Sequence, residues 1–278
     1  MKKLSALFVV VVFAQMACQK NKASKVAEKT ESVQSDTNAN AVKIIDIDAK
    51  EVTKDFNSWY EYMYSHISLS KDFIPRNADG QVIKKVDFLD QLISGNYVPL
   101  ETAVQNGQSV YQLFPFTSKD QYIVSTITQM AATSKKHYQL EGMPLPDFKF
   151  SDINGKTYSK ASLLGKTLVL KCWFIRCVAC VKEFPVLNQL VDDHKGDSNL
   201  VFISLALDTQ EKLQQFLTTK PFSFAVVPNM ETYMTEQLHV TEYPTHFLVG
   251  NDGHIKKVVG TIEELLPYIK HIPTTKII

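Results

Sequence analysis

The 278-residue chain is 45% apolar and carries 30 Lys and Arg against 29 Asp and Glu, a formal charge of +1. That balance excludes a disordered acidic tail and a polybasic nucleic-acid binder, and 10 Gly with 11 Pro exclude a fibrous chain, so one or two globular domains remain. The four cysteines, Cys18, Cys172, Cys177 and Cys180, are too few and too clustered for a disulfide framework. One Cys-x-x-Cys alone completes no zinc site, so neither a metal nor a cofactor is expected.

Residues 1–43 hold seven Lys against three acidic residues. The body that follows is mildly acidic, which gives no electrostatic case for nucleic acid. Lys2 and Lys3 precede an apolar stretch over residues 4–14, too short to span a bilayer and of the form of an export signal ending at residue 17. Gln15-Met16-Ala17-Cys18 resembles a bacterial lipobox, with Gln15 where an aliphatic residue is usual. The resemblance implies lipid attachment at Cys18 and a place on the periplasmic side of a bacterial membrane; an ordinary signal cut near Ala17 would instead give a soluble periplasmic protein. Residues 18–43, polar and without aromatic residues, read as a flexible tether.

Residues 44–138 read as a small α+β domain of unknown role. Phe56, Trp59, Tyr60, Met63, Tyr64 and Ile67 fit an amphipathic helix, with a strand as the alternative for the aromatic stretch. Val86, Phe88, Leu89, Leu92 and Ile93 predict a short helix stopped at Gly95, and Asn106-Gly107 predicts a hairpin turn. Ile123, Ile127, Met130 and Ser134 mark a further helix, and no catalytic constellation is found in this region.

Residues 139–278 form the second domain. Asp152 to Lys156 read as a hairpin turn, and residues 167–173 as a buried strand interrupted by Lys171. A helix is expected from about Val178 through Leu187 and Leu190, followed by a strand over 200–207 reached by a right-handed crossover. Asp208 to Glu211 read as a capping box. Strands at 222–227, 245–249 and 255–259, with Asp252-Gly253 as a turn, and a helix over 262–272 complete the pattern.

Cys177-Val178-Ala179-Cys180 lies where the buried strand hands over to the helix. Free backbone N–H groups at a helix start stabilise a thiolate, and the three-residue spacing lets the second thiol attack a mixed disulfide formed at the first. Cys177 is therefore expected to be the exposed nucleophile and Cys180 the buried resolving thiol. Cys172 points away from Lys171 and Trp173 along the strand and reads as inert core.

Residues 168–185, with Trp173 four before Cys177, Glu183 three after Cys180 and Pro185 five after it, resemble the TlpA/ResA-like branch of the thioredoxin superfamily, tethered envelope thiol-disulfide oxidoreductases. Pro146-Asp147-Phe148, Tyr243-Pro244-Thr245 and Asp252-Gly253 extend the resemblance over about residues 140–272. It implies an α/β thioredoxin fold, a central mixed sheet flanked by helices. It also implies a redox disulfide Cys177–Cys180, and Glu183 as a partly buried acid–base group with a raised pKa that exchanges protons with Cys180. Pro244 is implied to be cis, and Trp173, Tyr243 and Pro244 to contact substrate.

Ala179 replaces the usual proline before the second cysteine, Arg176 an aromatic residue, and Lys171 a buried acid. Arg176 could favour the Cys177 thiolate or be a solvated surface residue; Lys171 could pair with Glu183 or a thiolate, or reach solvent. His246 is expected to be packed or solvent-facing.

The implied activity is exchange of disulfides with exported thiol or disulfide proteins, mainly as a reductant, re-reduced by a membrane electron donor. Cytochrome c maturation is the associated process. The competing readings are a non-enzymatic envelope binding protein on a thioredoxin scaffold and a peroxiredoxin-like antioxidant enzyme.

Overall fold

A computed structural model describes residues 42–117 and 120–270; the signal, the lipid-attachment residue Cys18 and most of the tether lie outside them. The first unit runs β1 (Val42–Ile44), α1 (Ala49–Val52), α2 (Phe56–His66), β2 (Ile74–Arg76), α3 (Lys85–Ile93), β3 (Tyr97–Gln105), β4 (Gln108–Pro115) and α4 (Gln121–Leu140). Its sheet has the order β1-β3-β4-β2, antiparallel except for β2 on β4. Asn106 and Gly107 close the β3–β4 hairpin at positive φ, 52° and 78°, the backbone such a two-residue turn demands. The aromatic stretch is helix: Trp59 and Met63, one turn apart, are the buried pair of α2 and belong to one core with Phe88, Leu92 and Leu113. Val42 and Lys43, expected in the tether, instead begin β1, paired with β3.

The second unit runs β5 (Lys149–Ser151), β6 (Thr157–Ser159), α5 (Lys160–Leu163), β7 (Thr167–Trp173), α6 (Val178–Lys182), α7 (Phe184–Asp193), β8 (Leu200–Ala206), α8 (Gln210–Leu217), β9 (Ala225–Val227), a π-helical turn over Tyr233–Gln237, β10 (Thr245–Val249), β11 (Ile255–Val259) and α9 (Ile262–Ile269). The sheet order is β11-β10-β7-β8-β9, with β7, β8 and β9 parallel and β10 and β11 antiparallel. This is the thioredoxin arrangement of a mixed sheet flanked by helices. Strand β7 is its centre and is buried on both faces, which explains its nearly unbroken apolar sequence.

Two expectations are corrected. The helix after the cysteines is broken at Glu183, because Pro185 in the first turn of α7 has no N–H to continue the ladder of α6. The capping box at Asp208 does not form: Thr209 is the N-cap of α8 and makes no side-chain cap bond, while Asp208 Oδ2 accepts the Ile175 N–H at 2.7 Å. Asp208 thus holds the loop that leads into Cys177.

The two units share an interface along β11, α4 and α9. Lys257 of β11, 1% exposed, donates to Asp72 at 2.6 Å and approaches Glu141 at 3.2 Å. The Tyr268 hydroxyl accepts the Asp72 N–H at 2.9 Å, and Ser68 donates to Glu264. Among the described residues no helix is long and apolar enough to cross a membrane.

Candidate active site

Strand β7 delivers the chain to Cys177, which caps α6. Cys177 and Cys180 are joined in a disulfide with Cα atoms 5.2 Å apart. The Sγ of Cys177 accepts the Cys180 backbone N–H at 3.1 Å, so the first turn of α6 points a donor at the sulfur that would carry charge once the bond opens. Exposure separates the two: Cys177 is 7% exposed and Cys180 0%. The expected exposed nucleophile is thus nearly covered, presenting only an edge, while Val178, Ala179 and Arg176 around it are exposed.

The opposite wall is the loop before β10. The Tyr243–Pro244 peptide is cis, and both residues are half-buried. The ring of Tyr243 meets Phe174 edge-on at 5.3 Å, and the Phe174 carbonyl accepts the Cys177 N–H at 3.1 Å. The loop and the disulfide are therefore linked through one aromatic contact.

Beneath them lies a buried charged set. Lys171 of β7 and His246 of β10 are register partners across the sheet, and Glu183, at the α6–α7 break one turn after Cys180, reaches both. Glu183 Oε2 accepts from Lys171 and from His246 Nε2, the latter at 2.9 Å, and Oε1 accepts the Ile262 N–H at 2.9 Å. Burial alone would raise the Glu183 carboxyl, but the His246 and Lys171 hydrogen bonds and charges outweigh it and hold it down at about 2. Burial depresses Lys171 despite Glu183, and burial together with the Lys171 charge depresses His246. Since an ionised Glu183 can only accept, His246 carries a proton on the nitrogen that faces it, Nε2. Its Nδ1 is buried without a hydrogen-bond partner among the described residues.

The comparisons fit this geometry. The AhpC/TSA family model matches residues 142–258. A thiol-disulfide oxidoreductase ResA of Bacillus cereus is 30% identical over 150 residues, covering 53% of this chain and 86% of the relative. The chain belongs to the ResA family of thiol-disulfide oxidoreductases. ResA of Bacillus subtilis (strain 168) is also 30% identical, over 45% of this chain and 70% of its own. A solved thiol-disulfide oxidoreductase from Bacteroides fragilis NCTC 9343 is 19% identical with a TM-score of 0.43, covering 47% of this chain and 99% of its own.

As a ResA-family enzyme this chain carries out thiol-disulfide exchange, and its site departs from the expectations in two places. Glu183 is not a carboxyl of raised pKa: three donors converge on it and keep it ionised. Trp173, expected at the substrate surface, is 0% exposed and packs edge-on against Phe184 at 5.0 Å, because β7 is covered on both faces. His246 is packed, one of the two expected alternatives, and its ring bonds Glu183. A signal for it was present in the sequence: a histidine inside Thr245–Val249, a strand otherwise apolar from Phe247 on, is buried and must bond something.

Of the remaining candidates, Lys171 pairs with Glu183 rather than reaching solvent, and Arg176 is exposed. Cys172 is a buried free thiol on the other face of β7, pushed well above its ordinary value by burial. No group of three or more His, Cys, Asp or Glu side chains among the described residues is placed to hold a metal ion.

Proposed function

We propose that the protein is exported, anchored by lipid at Cys18, and works as a reductant of disulfides in exported proteins. Apocytochrome c thiols are the substrate class favoured by the family resemblance, and a membrane electron donor restores the reduced state. The observation that carries the reading is the Cys177–Cys180 disulfide at the start of α6, with the Cys180 N–H on Cys177 Sγ and the cis-Pro244 loop alongside.

In the reduced enzyme the Cys177 thiolate attacks one sulfur of a substrate disulfide, forming a mixed disulfide and releasing the other substrate sulfur as thiolate. Cys180 gives up its proton as it attacks Cys177 Sγ, and the substrate's second sulfur leaves; the two substrate sulfurs take up that proton and one more from solvent, so the substrate gains two electrons as a dithiol and the enzyme is left oxidised with the Cys177–Cys180 bond formed.

The test is a Cys180→Ala variant produced in its native envelope. Mixed disulfides through Cys177 that include apocytochrome c are expected, and they should vanish in Cys177→Ser/Cys180→Ala. An exported protein that traps no partner, or whose wild-type pair stands fully oxidised in the envelope, would overturn the reductant reading.

A further inference from the structure

The first domain reaches the substrate loop of the second. On α4, Thr133 Oγ1 donates to Glu242 Oε1 at 2.8 Å, and Gln129 Nε2, one turn earlier, to the same oxygen at 3.4 Å. Glu242 stands two residues before Pro244. Its own carbonyl accepts from Thr245 Oγ1 at 2.7 Å, so the loop is pinned by its side chain to α4 and by its main chain to the first residue of β10. Tyr243 and Pro244 lie between these two anchors, and Tyr243 packs on Phe174, three residues before Cys177. A continuous line of contacts runs from α4 to the disulfide: Thr133, Glu242, Tyr243, Phe174, Cys177.

The geometry points to Thr133 and Gln129 as positioning residues for substrate, through which the first domain sets the loop that an extended polypeptide lies against. The inference rests on the oxidoreductase reading and deepens it. A small disulfide needs only the Cys177 edge. A polypeptide disulfide must also pair its backbone beside Tyr243 and Pro244, and it gains from a loop already held in one conformation. The α4 hydrogen bonds supply that order without touching the reacting sulfurs. Glu242 accepts as a carboxylate, so each of these bonds is charge-assisted.

The experiment compares two substrates with the same reduced full chain: insulin, whose disulfides are held in polypeptide, and 5,5′-dithiobis(2-nitrobenzoate). Thr133→Val with Gln129→Leu removes both donors at nearly constant volume. The KM for insulin is expected to rise about fivefold, the loss of one to two net hydrogen bonds, with kcat and the small-disulfide rate unchanged. Thr133→Ser with Gln129 intact keeps the hydroxyl and should return the wild-type KM. An unchanged KM for insulin, or an equal fall in both rates, would overturn the inference while leaving the exchange chemistry standing. A wild-type protein that reduces neither substrate would instead overturn the oxidoreductase reading beneath it.

Discussion

Two lysines are buried in the same sheet and meet opposite fates. Lys171 in β7 is 0% exposed and Lys257 in β11 1%. Burial wins at Lys171, whose pKa falls, because its one carboxylate, Glu183, is shared with His246 and Ile262. At Lys257 burial also opposes the charge, yet Asp72 and Glu141 together overcome it and its pKa rises. The lesson is one of stoichiometry: two carboxylates make a buried ammonium a fixture of the domain interface, whereas a shared one leaves the site under the disulfide with charge that can move.

The largest break in this comparison is expected from Glu183→Gln. It leaves Lys171 buried without a countercharge, a loss of about 3–5 kcal/mol. The ceiling has a physical origin. Lys171 can shed its proton at neutral pH, and at ~1.4 kcal/mol per unit from an ordinary 10.5 this costs at most about 5 kcal/mol. Lys257→Met is expected to cost less, about 1–3 kcal/mol, because the Asp72 side chain is 57% exposed and returns to water, while Glu141, already raised by burial, can take up a proton once its ammonium is gone. Urea midpoints of the two variants check the order; equal losses would mean the two clusters are energetically alike.

The second break is by acid. The Glu183 carboxyl is depressed from 4.5 to about 2, so its contribution is fully present above about 4.5 and is lost as pH falls through about 2. His246 is depressed below 6.5, so the unfolded chain takes up a proton first and stability begins to fall below about 6.5. The acid limb should therefore start near pH 6.5, well above the carboxylate range. His137 of α4, also buried and depressed to about 4, adds to the same limb, so His246→Gln is expected to shrink the loss of stability below about 6.5 without abolishing it, as read from urea unfolding across that range. An unaltered limb in that variant would show that another group titrates there.

How far these sites are legible in the amino-acid order depends on whether each signal is local. Strand β7 ends at the residues its apolar run indicates, and Cys177 caps α6 where strand gives way to helix, because both follow from neighbours in sequence. The Asn106-Gly107 turn is legible for the same reason. Edge strands β1 and β2, three residues each, carry too short a pattern to see, and their pairing depends on β3 and β4. The charged set is half-legible: Lys171 and Glu183 each stand out, but the pKa direction of Glu183 depends on His246, 63 residues away in sequence. The family position of Trp173 points to the surface, whereas its burial is a property of Phe184 and Phe222 packing over β7.

The smallest expected effect sharpens the other cluster. Asp72 bridges the units twice, by its carboxylate to Lys257 and by its backbone N–H to Tyr268. Asp72→Asn keeps the backbone bond and an acceptor oxygen but removes the charge, while Glu141 still faces Lys257 at 3.2 Å. Burial pushes the Glu141 carboxyl up, so with Asp72 neutral it becomes the sole countercharge and its pKa should fall as the Lys257 ammonium turns wholly to it. A cost of about 0.5–1 kcal/mol follows, visible as a small shift in urea midpoint. Adding Glu141→Gln should then cost more than the two single changes summed, because only the double variant strips Lys257 of both carboxylates and leaves a buried ammonium with no countercharge. Strict additivity would mean that the two carboxylates do not share the lysine, and the contrast between the two buried ammonium groups would then have another origin than the number of their partners.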